Sequence, residues 1–128
     1  MTFPRGSALI YSTYLGGSAS NSLGELAYGI AVDTKGDAIV VGATDSANFP
    51  TVNPLQPALA GRTNAFVAKL TPAGNALEFA TFLGGRGDDV AHAIAVSPFD
   101  STVYVAGSTS SVDFPVVAAI QSQLAGGS

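Results

Sequence analysis

Residues 77–85 read LEFATFLGG and repeat, 68 positions later, the LIYSTYLGG of residues 9–17. Further matches follow in the same order, at offsets of 64 and then 65 residues. They are GIAVD (29–33) with AIAVS (93–97), IVVG (39–42) with YVAG (104–107), and NFP (48–50) with DFP (113–115). The offset changes only between these motifs, which indicates that a folded unit was duplicated and that insertions are confined to loops.

The runs between glycines and prolines are short and rich in Val, Ile, Ala and Phe, which is typical of strands joined by turns. One complete unit predicts four strands; partial units predict one strand before it and two after it. In chain order these strands are 9–15, then 28–32, 38–42, 65–70 and 77–83, then 92–96 and 102–107. Four antiparallel strands in sequence order form a β-propeller blade. We therefore expect an all-β fold of antiparallel four-stranded blades, with about two repeat units and an incomplete propeller in one chain.

In each repeat unit, the connection after the second strand is long enough to contain a short helix. Asn53-Pro54 could cap a single helical turn, which Pro57 would stop. In the second copy, residues 116–125 have no proline inside them and place Val117, Ile120 and Leu124 on one helical face. A short amphipathic helix is predicted there.

Several motifs together resemble the SBBP repeat, a bacterial β-propeller repeat of secreted and cell-surface proteins. The resemblance rests on YSTYLGG (11–17), GIAVD (29–33), NFP (48–50) and FVAKLTPAG (66–74), which occur in the family's order. It implies a propeller architecture and an extracellular or cell-surface location. It implies no catalytic residues, because the family shares none that could be transferred to this chain.

Composition excludes several classes of function. The 128 residues contain 5 Lys and Arg against 9 Asp and Glu, with a net charge of -4, so no basic stripe can form to bind nucleic acid. The absence of cysteine excludes disulfides and thiolate metal sites. Apolar runs are far shorter than the ~20 residues that cross a bilayer. The first residues do not have the pattern of a signal peptide.

The predicted strands are too few for a closed propeller, which has roughly 4 to 8 blades. We expect one repeat region, 1–128, with units at 9–76 and 77–128, the second truncated before its third strand. Blade faces and strand edges left open would be covered by other copies of the chain, in a ring or a filament. The expected interface residues are Leu9, Tyr11, Tyr14, Val103 and Val105. The alternative is a fragment of a longer array.

Adjacent carboxylates at Asp88 and Asp89 are weak candidates for a Ca²⁺ site, although turn chemistry is the favoured interpretation. Residues 33–37, DTKGD, lack the ligand spacing of a calcium loop and predict a hairpin turn. The single histidine, His92, takes the repeat position of Tyr28, which favours packing over catalysis. We expect no cofactor and no metal.

Phe49 and Phe114 recur in otherwise variable loops, and we expect them to fill the gap between blades. The best-supported function is a non-enzymatic structural protein that self-associates. The rival functions are a binding module for carbohydrate or for a cell-surface protein and, less favoured, an enzyme. The enzyme hypothesis is less favoured because equivalent positions of the two repeats carry no matched acid and base.

Overall fold

The computed structural model describes residues 8–126, which form six β-strands and no helix. The strands are β1 (Glu25–Val32), β2 (Ala38–Thr44), β3 (Asn64–Leu70), β4 (Leu77–Leu83), β5 (Asp89–Val96) and β6 (Val103–Thr109). The all-β expectation is confirmed. β4 has the predicted bounds, and the other five strands overlap their predicted ranges.

The strands form two antiparallel sheets. The first has the order β1-β2-β3-β4, and the second pairs β5 with β6. The predicted hairpin turn joins β1 to β2: Asp33 Oδ1 accepts hydrogen bonds from the N–H groups of Lys35 (2.9 Å) and Asp37 (3.0 Å). An Asp side chain that bonds to the backbone two residues on stabilises such a turn.

A β-bulge explains why β1 and β5 begin three residues before their predicted starts. The pairing register of β1 shifts around Tyr28, and that of β5 shifts around His92. One extra residue in a strand reverses the side-chain alternation on either side of it. The period-2 pattern used for prediction is therefore interrupted at these two residues, and the segments before them were missed.

Two apolar clusters occupy the opposite faces of the first sheet. One lies between the sheets and is centred on Ile39, Val41 and Val67, which are at most 6% exposed. The other lies on the far face and is built on Phe66 and Phe82. Burial of such side chains contributes about 1.5–3 kcal/mol each.

The outer edge of β4 is covered by the chain itself. Val52 exchanges two backbone hydrogen bonds with Ala80, at 3.0 and 2.9 Å, and the Phe82 N–H donates to the Gln56 carbonyl at 3.3 Å. This edge is therefore not available for pairing with another chain. β6 differs, because among residues 8–126 it pairs only with β5.

The prediction of a strand at 9–15 is wrong, because these residues have no regular secondary structure. The repeat-equivalent strand, β4, is held by hydrogen bonds to β3. No strand lies beside 9–15 among residues 8–126 to supply such bonds, and an unpaired strand leaves its backbone groups to solvent.

The predicted helix at 116–125 is also wrong. Ala118 has a φ of 49°, in the left-handed region, and Val117 and Ile120 are 93% and 109% exposed. A helix of this length needs a surface to pack on. The single turn expected at Asn53-Pro54 is absent too, because Asn53 has a φ of 46° rather than the extended backbone of a helix cap.

Candidate interaction surfaces

The far face of the first sheet is only partly covered. Segment 11–15 crosses it and leaves a groove of about 510 Å³ between this segment and the sheet. Ile30 and Val32 of β1 are 61% and 62% exposed. The groove is lined by apolar groups of three strands and of the crossing segment, among them Tyr11, Leu15, Tyr28, Ile30, Val40 and Phe66.

An aromatic cluster lies on this far face of the first sheet. The ring of Phe49 lies 4.7 Å from that of Phe66 and 5.9 Å from that of Phe82, measured between centroids, and Phe49 is 3% exposed. Tilted ring pairs at these distances add to the free energy of burial. Leu15, from the crossing segment, packs against the same cluster. Phe49 and Leu15 therefore belong to one apolar cluster on this face.

The second sheet has one packed face and one open face. Val103 and Val105 of β6 are half-buried and pack against the cluster between the sheets. Because side chains alternate along a strand, Tyr104 and Ala106 lie on the other face, where both are exposed, Tyr104 at 62%. Of the residues expected at an interface, these two valines therefore contact the first sheet of the same chain.

The three expected interface residues near the N-terminus are placed differently. Leu9 and Tyr14 are 54% and 102% exposed, on a segment that is not a strand. Tyr11 is half-buried, and its ring lies against Gly74 so closely that any β-carbon there would clash with it.

The same polar junction occurs at the start of β1 and at the start of β5. Glu25 Oε1 accepts hydrogen bonds from the Gly17 N–H at 3.1 Å and from Thr44 Oγ1 at 3.1 Å. Asp89 accepts from the Gly85 N–H at 3.0 Å and from Thr109 Oγ1. Each carboxylate thus joins the end of the preceding strand or segment to the strand that follows it.

A buried amide connects the two sheets. Asn64, at the start of β3, donates from Nδ2 to the Gly85 carbonyl at 3.0 Å and to Asp89 Oδ2 at 3.1 Å. Its Oδ1 accepts from Gln56 Nε2 and from the Ala60 N–H. Every hydrogen-bonding atom of this fully buried side chain is therefore satisfied, as a buried polar group requires.

A cluster of charges lies at the opposite end of the first sheet. Lys69 Nζ lies 3.0 Å from Asp33 Oδ2, 3.2 Å from Asp37 Oδ2 and 3.3 Å from Glu78 Oε2. The ammonium is the main cause that lowers the pKa of Asp33 from 3.8 to about 2; backbone N–H groups act in the same direction and burial opposes them. The same contacts raise the pKa of Lys69. Both aspartates are buried, so their charges depend on this lysine.

Asp88 and Asp89, the two candidate metal ligands, lie in different environments. Asp89 is buried in the junction described above, whereas Asp88 is exposed and lies 3.8 Å from Arg62 Nε. No group of three His, Cys, Asp or Glu within the described part of the chain could hold a metal ion. Asp89 accepts hydrogen bonds from Gly85 in the preceding loop and from the distant Asn64, Thr109 and Ser111.

His92 contacts its repeat equivalent. The ring of His92 lies 5.3 Å from the ring of Tyr28, with a tilt of 50°, and Nε2 is 3.3 Å from Ser108 Oγ. Both residues are the extra residues of their bulges. The exposed histidine has no carboxylate partner in the described residues.

Sequence reasoning missed the Lys69 cluster and the Asn64 junction. Both depend on residues that lie far apart in the chain, and neither forms a local motif. The one available signal was the placement of the charged residues: Lys69 and Asp37 belong to the few charges in or beside apolar runs.

Comparison with known families gives one match: residues 10–50 match the β-propeller repeat family SBBP. This segment carries the β-propeller repeat inferred from the sequence motifs. Comparisons with curated proteins and with solved structures found no match. The described residues include no helix long and apolar enough to cross a membrane.

Proposed function

We propose that the chain is a non-enzymatic, structural β-propeller module that associates head to tail with further copies of itself. The first sheet is one complete blade and β5–β6 is the inner half of the next. Residues 9–15 take the place of the outermost strand of the preceding blade. The repeated junction at Glu25 and Asp89 supports the division into units 9–76 and 77–128, and the family match at 10–50 supports a repeat within the first of them.

The observation that carries the proposal is that the two open faces are the repeat equivalents of two faces that pack together inside the chain. Ile94, Val96 and Val105 pack on the cluster of Ile39 and Val41. Their equivalents one unit earlier are exposed or line the open groove: Ile30, Val32 and Val40. The equivalents of Ile39 and Val41 one unit later are Tyr104 and Ala106, which are exposed as well.

Each copy therefore has a groove at one end and the matching open face at the other end. Docking the open face of one copy into the groove of the next repeats a contact that the chain already makes. Covering each exposed Ile, Val or Tyr contributes up to about 1.5–3 kcal/mol. Such a contact is heterologous, so it closes into a ring if the rotation fits and otherwise builds a filament. An extracellular or cell-surface location is part of the proposal, on the family resemblance.

The experiment is sedimentation velocity of the full chain between 1 and 200 µM, compared with two variants. Tyr104→Asp places a charge on the open face and is expected to give a monomer. Leu55→Asp is the matched control, since Leu55 is 87% exposed on the loop that covers β4 and does not line the groove. Assembly that survives Tyr104→Asp, or a wild-type chain that stays at 12.8 kDa, contradicts the proposal.

A second candidate is the binding of a carbohydrate in the groove, because Tyr11 and Tyr28 both line it. Aromatic rings commonly provide the apolar surface of small-ligand sites. Glycan-array binding by the Tyr104→Asp variant, whose groove is intact, tests this candidate. Loss of that binding in Tyr28→Ala would assign it to the groove.

A further inference from the structure

β6 stands where β2 stands in the first sheet, but without the strand that β2 has on its other side. β2 pairs with β3 along its length, from Ala38 opposite Leu70 to Thr44 opposite Asn64. In residues 8–126, β6 pairs with β5 alone. An unpaired edge presents N–H and C=O groups on which an extended segment can be added.

The loop before β3 contains a socket for the side chain of Asn64. Asn64 Oδ1 accepts hydrogen bonds from Gln56 Nε2 at 3.0 Å and from the Ala60 N–H at 2.9 Å. Gln56 is held by a second bond, from Nε2 to the Ala58 carbonyl at 2.9 Å. The socket thus recognises an asparagine at the first position of the strand.

The loop after β6 repeats the amide part of this socket, 65 positions later, without the bonds to Thr81 and Gly84 that also hold Gln56. Gln121 Nε2 donates to the Gln123 carbonyl at 2.6 Å, as Gln56 does to Ala58. Ala125 takes the position of Ala60. Over residues 8–126 the Ala125 N–H donates no hydrogen bond, and Gln121 Nε2 bonds to Gln123 only. Both donors of the socket are thus present while no asparagine occupies it.

A second, apolar feature lies beside this socket. Phe49 is buried because Phe66 of β3 lies against it. Phe114, its repeat equivalent, is only half-buried and has no ring partner within the described residues; with Leu124 it lines a cavity of about 160 Å³. In the β2–β3 register Phe66 lies opposite Gly42, whose equivalent in β6 is Gly107.

We propose that β6, Phe114 and the loop 121–125 form a receptor for an extended peptide with Asn at its first position and Phe two residues later, the pattern of β3. The peptide runs antiparallel to β6, with its Asn opposite Thr109 and its Phe opposite Gly107. The site lies on a strand edge, apart from the two faces used for self-association, so it does not depend on the proposed function.

The probe is a blocked synthetic peptide with the sequence of residues 61–72, GRTNAFVAKLTP, titrated calorimetrically into the full chain. We expect one peptide bound per chain. Replacing the peptide's Asn by Ala removes two hydrogen bonds and should weaken binding about tenfold. Replacing its Phe by Ala should weaken binding at least as much.

Variants of the protein locate the contact. With Gln121→Ala the difference between the Asn and Ala peptides should shrink from about tenfold to about threefold, because one of the two donors is gone and the Ala125 N–H remains. Gln123→Ala is the matched control, since only its main-chain carbonyl takes part, and it should keep the tenfold difference. The Tyr104→Asp variant should bind the peptide even where assembly is lost.

Two results overturn the proposal. One is the absence of saturable binding of the native peptide to folded wild-type chain. The other is an equal affinity of the wild-type chain for the Asn and Ala peptides, which would reduce the interaction to non-specific strand addition.

Discussion

Asn64 at the start of β3 and Asp89 at the start of β5 are joined by a buried hydrogen bond of 3.1 Å. This bond crosses from one sheet to the other, and both residues are fully buried. Asp89 also accepts a hydrogen bond from Ser111, so the contact extends into the loop after β6. The two sheets are therefore coupled by a directional polar contact as well as by the apolar cluster between them.

Replacing Asn64 by Ala should lower the free energy of unfolding by about 2–4 kcal/mol, because buried partners of the amide lose their hydrogen bonds. Urea denaturation monitored by circular dichroism measures the change. Asn75→Ala is the control: Asn75 is exposed and accepts one hydrogen bond, from Thr71. A loss within 0.5 kcal/mol of this control would contradict the role given to Asn64.

Replacing Lys69 by Met should lower the melting temperature at pH 7 by roughly 5–10 °C, because two buried carboxylates lose their counter-ion. The aliphatic part of the side chain is kept, so the loss reports the charge. Lys35→Met is the control, since Lys35 is exposed in the turn and has no acidic partner in the described residues. Equal melting temperatures for both variants would contradict the account.

The Lys69 cluster also predicts a dependence on pH. The folded pKa of Asp33, about 2, lies below its ordinary value of 3.8. The stability from this contact is therefore fully present above about pH 4 and is lost as the pH falls through 2. The difference in melting temperature between wild type and Lys69→Met should shrink from pH 7 to pH 2.5. A constant difference would show that charge is not its cause.

Phe49 and Phe114 occupy the same repeat position but should contribute differently to the free energy of unfolding. Phe49→Ala removes a buried ring that contacts two others and should cost about 3–5 kcal/mol. Phe114→Ala, at a half-buried ring, should cost less than about 1.5 kcal/mol. Chemical denaturation measures the free energy of unfolding of both variants, and each variant is the control for the other. Equal losses of this free energy would contradict the packing described.

The strands were predictable where a run rich in apolar residues is bounded by turn residues. β4 has its predicted bounds because the run Leu77–Leu83 lies between a turn that contains Pro72 and Gly74 and the two glycines that follow Leu83. β1 was predicted three residues short because the bulge at Tyr28 interrupts the alternation. Residues 9–15 have nearly the sequence pattern of β4 but no strand beside them among the described residues. The pattern of one segment does not show whether a partner strand is present, and a strand is stabilised only by pairing with another.

The contacts at the candidate surfaces were less predictable. Alternation alone left open which face of β6 is packed, so Val103 and Val105 were expected at the interface, whereas Tyr104 and Ala106 lie on the open face. The Lys69 cluster joins β3 to the turn between β1 and β2, whose aspartates lie more than 30 residues before Lys69 in the chain. The repeat offset of 65 is the one sequence signal that relates the sockets at Gln56 and Gln121.

Head-to-tail association is tested most directly by mixing two variants, each blocked on a different surface. Tyr104→Asp removes the open face and keeps the groove; Ile30→Asp does the reverse, at a residue that is 61% exposed. Each variant alone should remain at 12.8 kDa in sedimentation equilibrium, and an equimolar mixture should form a dimer of twice that mass and nothing larger. A mixture that stays monomeric would contradict the pairing of these two surfaces, as would either variant assembling alone.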